Sequence, residues 1–190
     1  MKLRITQYGE PVLRQKGARI EKITPEISQL VADMFETMYE ARGVGLAAQQ
    51  IGKLLQLCVI DVTGVKDRPS TMQIDGKTVD PEKHMPLVLI NPVIKPVGDP
   101  VTGPEGCLSF PEIYGDITRP GEVEVTATDI DGEEYSFHAG GLLAKAVQHE
   151  FDHLQGILFI DRMSSQTKAE LRTEFEALQE QTKAELKKKR

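Results

Sequence analysis

Apolar residues in the segment that follows Thr24 recur every three or four positions, which is the spacing of one buried face of a helix. Pro25 suits the first helical position, and Gly43 is a natural stop. The pattern therefore predicts an N-terminal helix between these two residues. Its apolar positions are Ile27, Leu30, Val31, Met34, Phe35, Met38 and Tyr39.

Short apolar runs at 54–60 and 86–90 are rich in Val, Ile and Leu and predict two buried strands. Between them lies a polar excursion, residues 63–85, which contains two glycines and two prolines. Its Asp75-Gly76 pair is typical of a tight hairpin turn. Residues 63–85 are thus expected to form a long connection with one small hairpin.

Further along the chain, apolar and polar positions alternate at 123–127, which predicts a strand. Asp131-Gly132 then favours a tight turn into residues 135–138, so the two segments are predicted to form an antiparallel hairpin. A second helix is predicted at 142–155, between glycines that start and stop it.

The last predicted element is a C-terminal helix at about 166–186, followed by a basic tail, residues 187–190. The elements show no repeated strand-helix-strand rhythm, so the fold class is α+β. We expect antiparallel β-sheets packed around the central helix at 142–155, with an N-terminal and a C-terminal helix. A chain of 190 residues, 39% of them hydrophobic, is long enough for one domain and short for two, so residues 1–190 are expected to form a single domain.

Charge and cysteine content exclude several classes of protein. A net charge of −6 argues against a DNA-binding surface, because phosphate binding needs clustered Lys and Arg. No apolar run approaches the ~20 residues that cross a bilayer, so no membrane association is expected. The two cysteines, Cys58 and Cys107, are too few for a disulfide framework and fit a reducing compartment. Cys58 lies in an apolar strand and is expected in the core.

The segment His149-Glu150-Phe151-Asp152-His153 in the second predicted helix carries the first chemical signal. Its histidines, four residues apart, stand on one helix face and are spaced to bind one metal ion. At about 100° per residue, one face holds Leu142, Leu143, Ala146, Val147, His149, Glu150, His153 and Leu154, and the other holds Ala144, Lys145, Gln148, Asp152 and Gln155.

Both histidines and Glu150 therefore lie on the apolar face, which is predicted to be buried. Burying two imidazoles and a carboxylate is costly unless they have a partner, and a divalent cation serves all three. The alternative is a core helix whose histidines hydrogen-bond within the protein.

A catalytic metal site usually has three protein ligands and an open fourth position. Cys107 follows Gly103-Pro104 and precedes Pro111, which predicts a tight, irregular segment that presents a thiolate. A third segment, 43–52, has glycines and alanines where a helix has bulky residues, so its backbone lies close to a ligand or is tightly packed.

Three stretches of the chain resemble, in order, the three signature motifs of the peptide deformylases, and Tyr8-Gly9-Glu10-Pro11-Val12-Leu13-Arg14 is similar to that family's opening segment. The stretches are Gly43-Val44-Gly45-Leu46-Ala47-Ala48-Gln49-Gln50, Glu105-Gly106-Cys107-Leu108-Ser109 and Gln148-His149-Glu150-Phe151-Asp152-His153. The resemblance implies hydrolysis of the N-formyl group from the starting methionine of nascent polypeptides, with release of formate.

The resemblance also implies the role of each site residue. The metal ligands are Cys107, His149 and His153. Glu150 is the general base and acid, and Gln50 with the backbone N–H of Leu108 stabilises the oxyanion. The cofactor is one divalent ion, ferrous iron in the cell, and Zn²⁺, Ni²⁺ or Co²⁺ are able to take its place.

By the same resemblance, the pocket for the methionine side chain is lined by Val44, Leu142 and Ala146. The backbone near Gly45 is expected to pair with the extended substrate peptide, as in strand addition. The partners are N-formylmethionyl nascent peptides and, through the C-terminal helix and the tail 187–190, the ribosome.

Other features concern the surroundings of the site and the location of the protein. Gly103 and Tyr114 stand where other members often have a larger aliphatic residue and an arginine. Glu105 is either an exposed carboxylate or the partner of Arg119 near the site. Met1 lies just ahead of the opening motif, which leaves no room for a transit peptide and indicates a bacterial cytoplasm.

Two other functions are compatible with part of the pattern. The His149 to His153 motif alone is typical of a zinc endopeptidase, in which Glu170 or Glu174 is the third ligand. A non-catalytic metal-binding module would have four protein ligands. The endopeptidase leaves the motifs at 43–50 and 105–109 unexplained.

Overall fold

The computed structural model describes residues 1–189, which form one seven-stranded sheet and four α-helices. The helices are α1 (Pro25–Glu40), α2 (Gly141–Leu154), α3 (Ser165–Glu170) and α4 (Arg172–Lys188). The strands are β1 (Gly45–Ala47), β2 (Leu57–Ile60), β3 (Ser70–Ile74), β4 (Lys77–Val79), β5 (Leu87–Cys107), β6 (Phe110–Thr128) and β7 (Glu134–Gly140). Short 3-10 turns occupy Pro11–Arg14, Ala48–Ile51, Pro81–His84 and Phe159–Arg162.

All named strand pairs are antiparallel, and the order across the sheet is β1-β2-β5-β6-β7-β3-β4. This agrees with the mixed helix and antiparallel sheet class expected from the sequence. The hairpin predicted around Asp131-Gly132 is confirmed as β6–β7, in which Val125 pairs with Phe137. One sheet, however, replaces the several sheets that the sequence suggested.

Strand β5 is far longer than the sequence predicted. The apolar run at 86–90 indicated a short strand, but β5 continues through Gly103 and Pro104 to Cys107. The ladder with β6 tolerates these residues because its register shifts at three places, the last between Gly106 and Cys107. Cys107 is therefore held at the end of a strand next to a hairpin turn. The strand was not predicted, but the register shift beside Cys107 agrees with the irregular segment that was predicted.

The polar excursion is part of the sheet. Its predicted hairpin is confirmed, with β3 and β4 joined at Asp75-Gly76, both of which have positive φ, 52° and 74°. Strand β3 then pairs with β7, where Met72 lies opposite Ala139. A buried Met72 explains this attachment, because it adds one apolar side chain to the core next to α2.

Helix α1 has the predicted start, since Thr24 accepts a hydrogen bond from the backbone N–H of Ile27 at 3.3 Å and Pro25 is the first helical residue. The single C-terminal helix predicted at about 166–186 is instead two helices. Ser164 caps α3, which ends at Glu170, and α4 begins after the single residue Leu171. Phe175 of α4 packs in the core with the 3-10 turn Phe159–Arg162.

Helix α2 is buried on almost every side, because it packs against β1, β2, β3, β5, β6 and β7. Three of the five residues that the sequence placed on the opposite face are also buried, namely Ala144, Gln148 and Asp152. Gln148 is satisfied there by donating to the carbonyl of Pro120 at 2.9 Å. Residues on α2 thus have little freedom to move, which is what a precise site requires.

None of the helices within residues 1–189 combines the length and the apolar character that a bilayer crossing needs.

Candidate active site

Three metal-binding side chains converge between the end of β5 and α2. Cys107, His149 and His153 each offer one ligand atom, and these atoms all lie within 4.8 Å of one another. The thiol sulphur of Cys107 is 3.3 Å from Nε2 of His153. Two imidazoles and a thiolate form a donor set suited to Zn²⁺, Fe²⁺, Ni²⁺ or Co²⁺, with three ligands as in catalytic sites.

A chain of buried charges holds the first histidine in place. Nδ1 of His149 lies 3.0 Å from Oε1 of Glu105, so this nitrogen is engaged by the carboxylate and Nε2 is the ring nitrogen left for a metal. Arg119 donates to both oxygens of Glu105, at 2.7 and 3.1 Å, and to Asp152 at 2.9 Å. The pairing of Glu105 with Arg119 is thereby confirmed. Sequence analysis placed Asp152 on the helix face opposite the histidines and did not predict its contact with Arg119.

The surroundings of Glu105 and Glu150 give these two carboxylates very different pKa values. Burial acts to raise the pKa of Glu105, but the hydrogen bonds from His149 and Arg119 outweigh burial and lower that pKa to about 2. Glu105 is therefore ionised at neutral pH. Burial raises the pKa of Glu150 to about 7. Burial and nearby His149 together lower the pKa of His153, which favours the neutral imidazole that binds metals.

Two polar atoms at this site are buried without a hydrogen-bond partner among the described residues, Oε2 of Glu150 and Nδ1 of His153. Buried polar groups are normally paired, because an unpaired one costs about 1–3 kcal/mol. Unpaired groups beside a thiol and two imidazoles fit a site that completes its bonding with a metal ion and a ligand.

The side chain of Gln50 is fixed beside the metal ligands. Its Oε1 accepts from the backbone N–H of Ala47 at 2.9 Å, which leaves the amide nitrogen to donate. That nitrogen lies 3.3 Å from Oγ of Ser109 and 3.6 Å from the sulphur of Cys107. Leu108 lies in the turn between β5 and β6 and lines the same cavity as Gln50.

A cavity of about 330 Å³ opens onto these groups. Its lining includes all the residues that the sequence assigned to catalysis and substrate binding, and the metal ligands except His153, which is buried behind it. Those lining residues are Val44, Gly45, Gln50, Cys107, Leu108, Leu142, Ala146, His149 and Glu150. Gly45 has to be a glycine, because a Cβ there would lie 2.6 Å from Oε1 of Glu150.

Comparison with known proteins agrees with this geometry. The model of the polypeptide deformylase family matches residues 2–169. A peptide deformylase of Methylacidiphilum infernorum is 47% identical over 94% of this chain and 93% of its own. The chain belongs to the polypeptide deformylase family.

Solved deformylases have the same fold. The crystal structure of a plant peptide deformylase superposes with a TM-score of 0.83 at 39% identity, covering 96% of this chain and 92% of that one. A peptide deformylase from Synechococcus elongatus, solved in complex with actinonin, gives 0.76 at 39% identity over 94% and 86%. The chain is thus a metal-dependent hydrolase that removes the N-formyl group from nascent polypeptides.

The zinc endopeptidase alternative is not favoured. Its candidate third ligands, Glu170 and Glu174, are exposed on α3 and α4 and do not join the cluster of metal-binding atoms within residues 1–189. Glu174 instead lines a separate groove with Gln7. Cys107, rather than a carboxylate, lies beside the two histidines within the described residues.

Sequence analysis missed several charged residues at the mouth of the cavity. They are Arg42, Arg68, Glu112 and Lys145. The spacing of Lys145, one helical turn before His149, was an available signal, whereas nothing in the sequence connects Arg68 to the site. Gly103 gives Lys145 room, since a Cβ there would lie 2.9 Å from its Nζ, and the ring of Tyr114 covers Gly106.

Proposed function

We propose that Cys107, His149 and His153 hold the divalent ion and that residues 1–190 form a single catalytic domain around it. The observation that carries this proposal is the convergence of these three ligand atoms within 4.8 Å at the wall of a cavity. These three residues would hold the ion, which would supply Lewis-acid chemistry and a water of lowered pKa.

Glu150 is proposed to move the proton during hydrolysis. It accepts a proton from the attacking water as the water oxygen bonds to the formyl carbon, and it delivers that proton to the departing amine nitrogen as the C–N bond breaks. The products are formate and a free amino terminus. A pKa near 7 suits both steps, because the group gives and takes a proton with similar ease at neutral pH.

Gln50 and the backbone N–H of Leu108 are proposed to stabilise the negative charge that develops on the formyl oxygen. Both line the cavity, and the carbonyl of the Gln50 amide is already held by Ala47, so its nitrogen needs no reorganisation during the reaction. Removing one such donor typically costs about 2.7–4 kcal/mol of transition-state stabilisation.

The substrates are proposed to be N-formylmethionyl nascent peptides. Val44, Leu142 and Ala146 give one side of the cavity an apolar surface for the methionine side chain. Strand β1 is at the edge of the sheet and pairs with β2, so its outer edge near Gly45 is open to the main chain of an extended peptide.

We propose Fe²⁺ as the native metal, because a Cys/His/His set accepts it and the two free cysteines, Cys58 and Cys107, suit a reducing compartment. Protein purified without oxygen is expected to contain about one iron per chain and to release formate from N-formyl-Met-Ala-Ser. Exposure to air is expected to abolish this activity as iron and thiolate are oxidised. Formate assay and metal analysis of the same sample test both points, and a folded, metal-loaded protein that releases no formate contradicts the function.

The ligand role of Cys107 is tested by Cys107→Asp, measured against Glu174→Gln. We expect the first variant to lose more metal than the parent in the presence of a chelator, because a hard carboxylate binds these ions less well than the soft thiolate that it replaces. The second is expected to keep its metal. The endopeptidase alternative predicts that Glu174→Gln loses metal and Cys107→Asp keeps it, since Glu174 is then a ligand and Cys107 has no role in metal binding.

Contact with the ribosome is proposed for α4 and the tail 187–190. Lys187 and Lys188 give the last turn of α4 a positive charge that suits RNA phosphates, while the tail's final residue, Arg190, lies outside the described residues. A bacterial cytoplasm is the proposed location, which the bacterial origin of relatives 47% and 44% identical to this chain supports.

A further inference from the structure

The mouth of the active-site cavity is positively charged although the chain as a whole is acidic. Three cations line the cavity: Arg42, Arg68 and Lys145, which we call the cationic rim. The net charge of the whole chain is −6. A local excess of positive charge on an acidic protein attracts negatively charged ligands to that place.

The cationic rim is free to bind a ligand. Within residues 1–189 none of its three side chains forms a salt bridge or a side-chain hydrogen bond, in contrast to Arg119, which is engaged with two carboxylates. The cavity contains one exposed carboxylate, Glu112, that opposes the rim. The other two lining carboxylates are buried, and Glu105 is already neutralised by Arg119. The mouth therefore retains positive charge.

The positions of the three cations follow the path of the substrate. Arg42 precedes the edge strand β1 by three residues, which is at most roughly 10 Å of chain from Gly45. Lys145 lies four residues before His149 on α2, which is about 6 Å along the helix axis. Gln50 and the metal ligands mark the formyl end, so a peptide that pairs with β1 in the antiparallel direction runs from them toward Arg42.

The length of chain between Gly45 and Arg42 indicates which substrate residues lie next to the cationic rim. An extended peptide advances by about 3.3 Å per residue, so its second to fourth residues span the stretch between Gly45 and Arg42. Arg68 approaches the same mouth from the β2–β3 connection. The rim thus comes from three separate elements that converge on one place, beyond the pocket for methionine.

We propose that the cationic rim is a specificity subsite for a carboxylate on the substrate segment that follows the formylmethionine. This inference rests on the proposed function, because it concerns the same substrate in the same cavity. The carboxylate belongs either to an Asp or Glu side chain or to the C-terminus of a short peptide, and both have the chemistry that free guanidinium and ammonium groups bind.

The test compares three peptides that differ only at the third residue, N-formyl-Met-Ala-Xaa-Ser amide with Glu, Gln or Lys as Xaa. At about 0.01 M ionic strength, we expect kcat/KM to be about three- to tenfold higher for Glu than for Lys, with Gln between them. At about 1 M salt, where charges are screened beyond about 3 Å, the preference is expected to disappear.

Substitutions in the cationic rim test whether its side chains cause the preference for Glu over Lys. Arg68→Gln and Lys145→Gln are each expected to reduce the preference for Glu over Lys without lowering kcat/KM for the Gln peptide by more than about twofold, the range of weak exposed charge contacts. Lys66→Gln is the matched control, because Lys66 is an exposed cation of the same connection that does not line the cavity. This control is expected to keep the full preference.

N-formyl-Met-Ala-Gln as the free acid and as the amide distinguishes the two sources of the carboxylate. A faster free acid with no preference for the Glu side chain supports the subsite and assigns it to the C-terminal carboxylate. Equal rates for all the peptides overturn the subsite and leave the deformylase function intact. Absence of formate from every peptide overturns the proposed function and the subsite with it.

Discussion

Glu150→Gln is expected to lower kcat for formate release by between about 10² and 10⁴-fold, the usual contribution of a general acid-base group. The amide has the shape of the carboxylate, so it fits against Gly45, whose missing Cβ leaves just enough space for this side chain. It does not accept the proton of the attacking water or return it to the amine. Formate release from N-formyl-Met-Ala-Ser measures the loss.

Measuring the metal content distinguishes the loss of proton transfer in Glu150→Gln from a loss of the metal ion. Glu150 is not one of the three converging ligands, so the variant is expected to keep as much metal as the parent. Glu174→Gln, which changes an exposed carboxylate on α4, is expected to keep both metal and activity. A Glu150→Gln protein that holds its metal and retains more than about a tenth of the parent kcat would show that another group moves the proton.

The centre of the site was predictable because its residues are close in sequence or carry a recognisable pattern. His149 and His153 are four apart on one helix, so their convergence requires only that the helix forms. Cys107 was a weaker prediction from the residues alone and depended on the resemblance to deformylases. The structure brings all three together, although Cys107 ends a strand that the sequence pattern did not extend so far.

Asp152 shows what periodicity misses. A helical pattern assigns a charged residue to the exposed side, but Asp152 is buried. Its partners Arg119 and Arg162 lie 33 and 10 residues away in the chain and reach it from different elements. No local pattern contains that pairing. Helical periodicity therefore does not predict buried ion pairs between residues that are distant in the sequence.

Strand β5 was underestimated for a related reason. Gly103 and Pro104 are locally unfavourable in a strand, yet each pairs with a residue of β6, Ile117 and Asp116. Their environment is set by the partner strand and by register shifts, which no single segment reveals. The same extension brings Gly103 next to Lys145 and so shapes the mouth of the cavity.

Arg119→Met is expected to destabilise the fold by about 3–5 kcal/mol, the cost of removing one partner from a buried ion pair. Arg119 is 6% exposed and joins Glu105 of β5 to Asp152 of α2. Without it, two buried carboxylates each lose a guanidinium partner, and one of them orients His149. Urea unfolding of the metal-loaded protein measures the change, and weaker metal binding is expected alongside it.

Arg162→Met is the matched comparison, because Arg162 also binds Asp152, at 2.9 Å, but its side chain is 47% exposed. Solvent screens that pair, so its removal is expected to cost no more than about 1 kcal/mol. A loss of similar size in the two variants would contradict the argument that burial gives Arg119 its importance. Burial, rather than the number of hydrogen bonds to Asp152, then decides which of its two arginines holds the metal site together, since Arg162 donates twice to that carboxylate and Arg119 once.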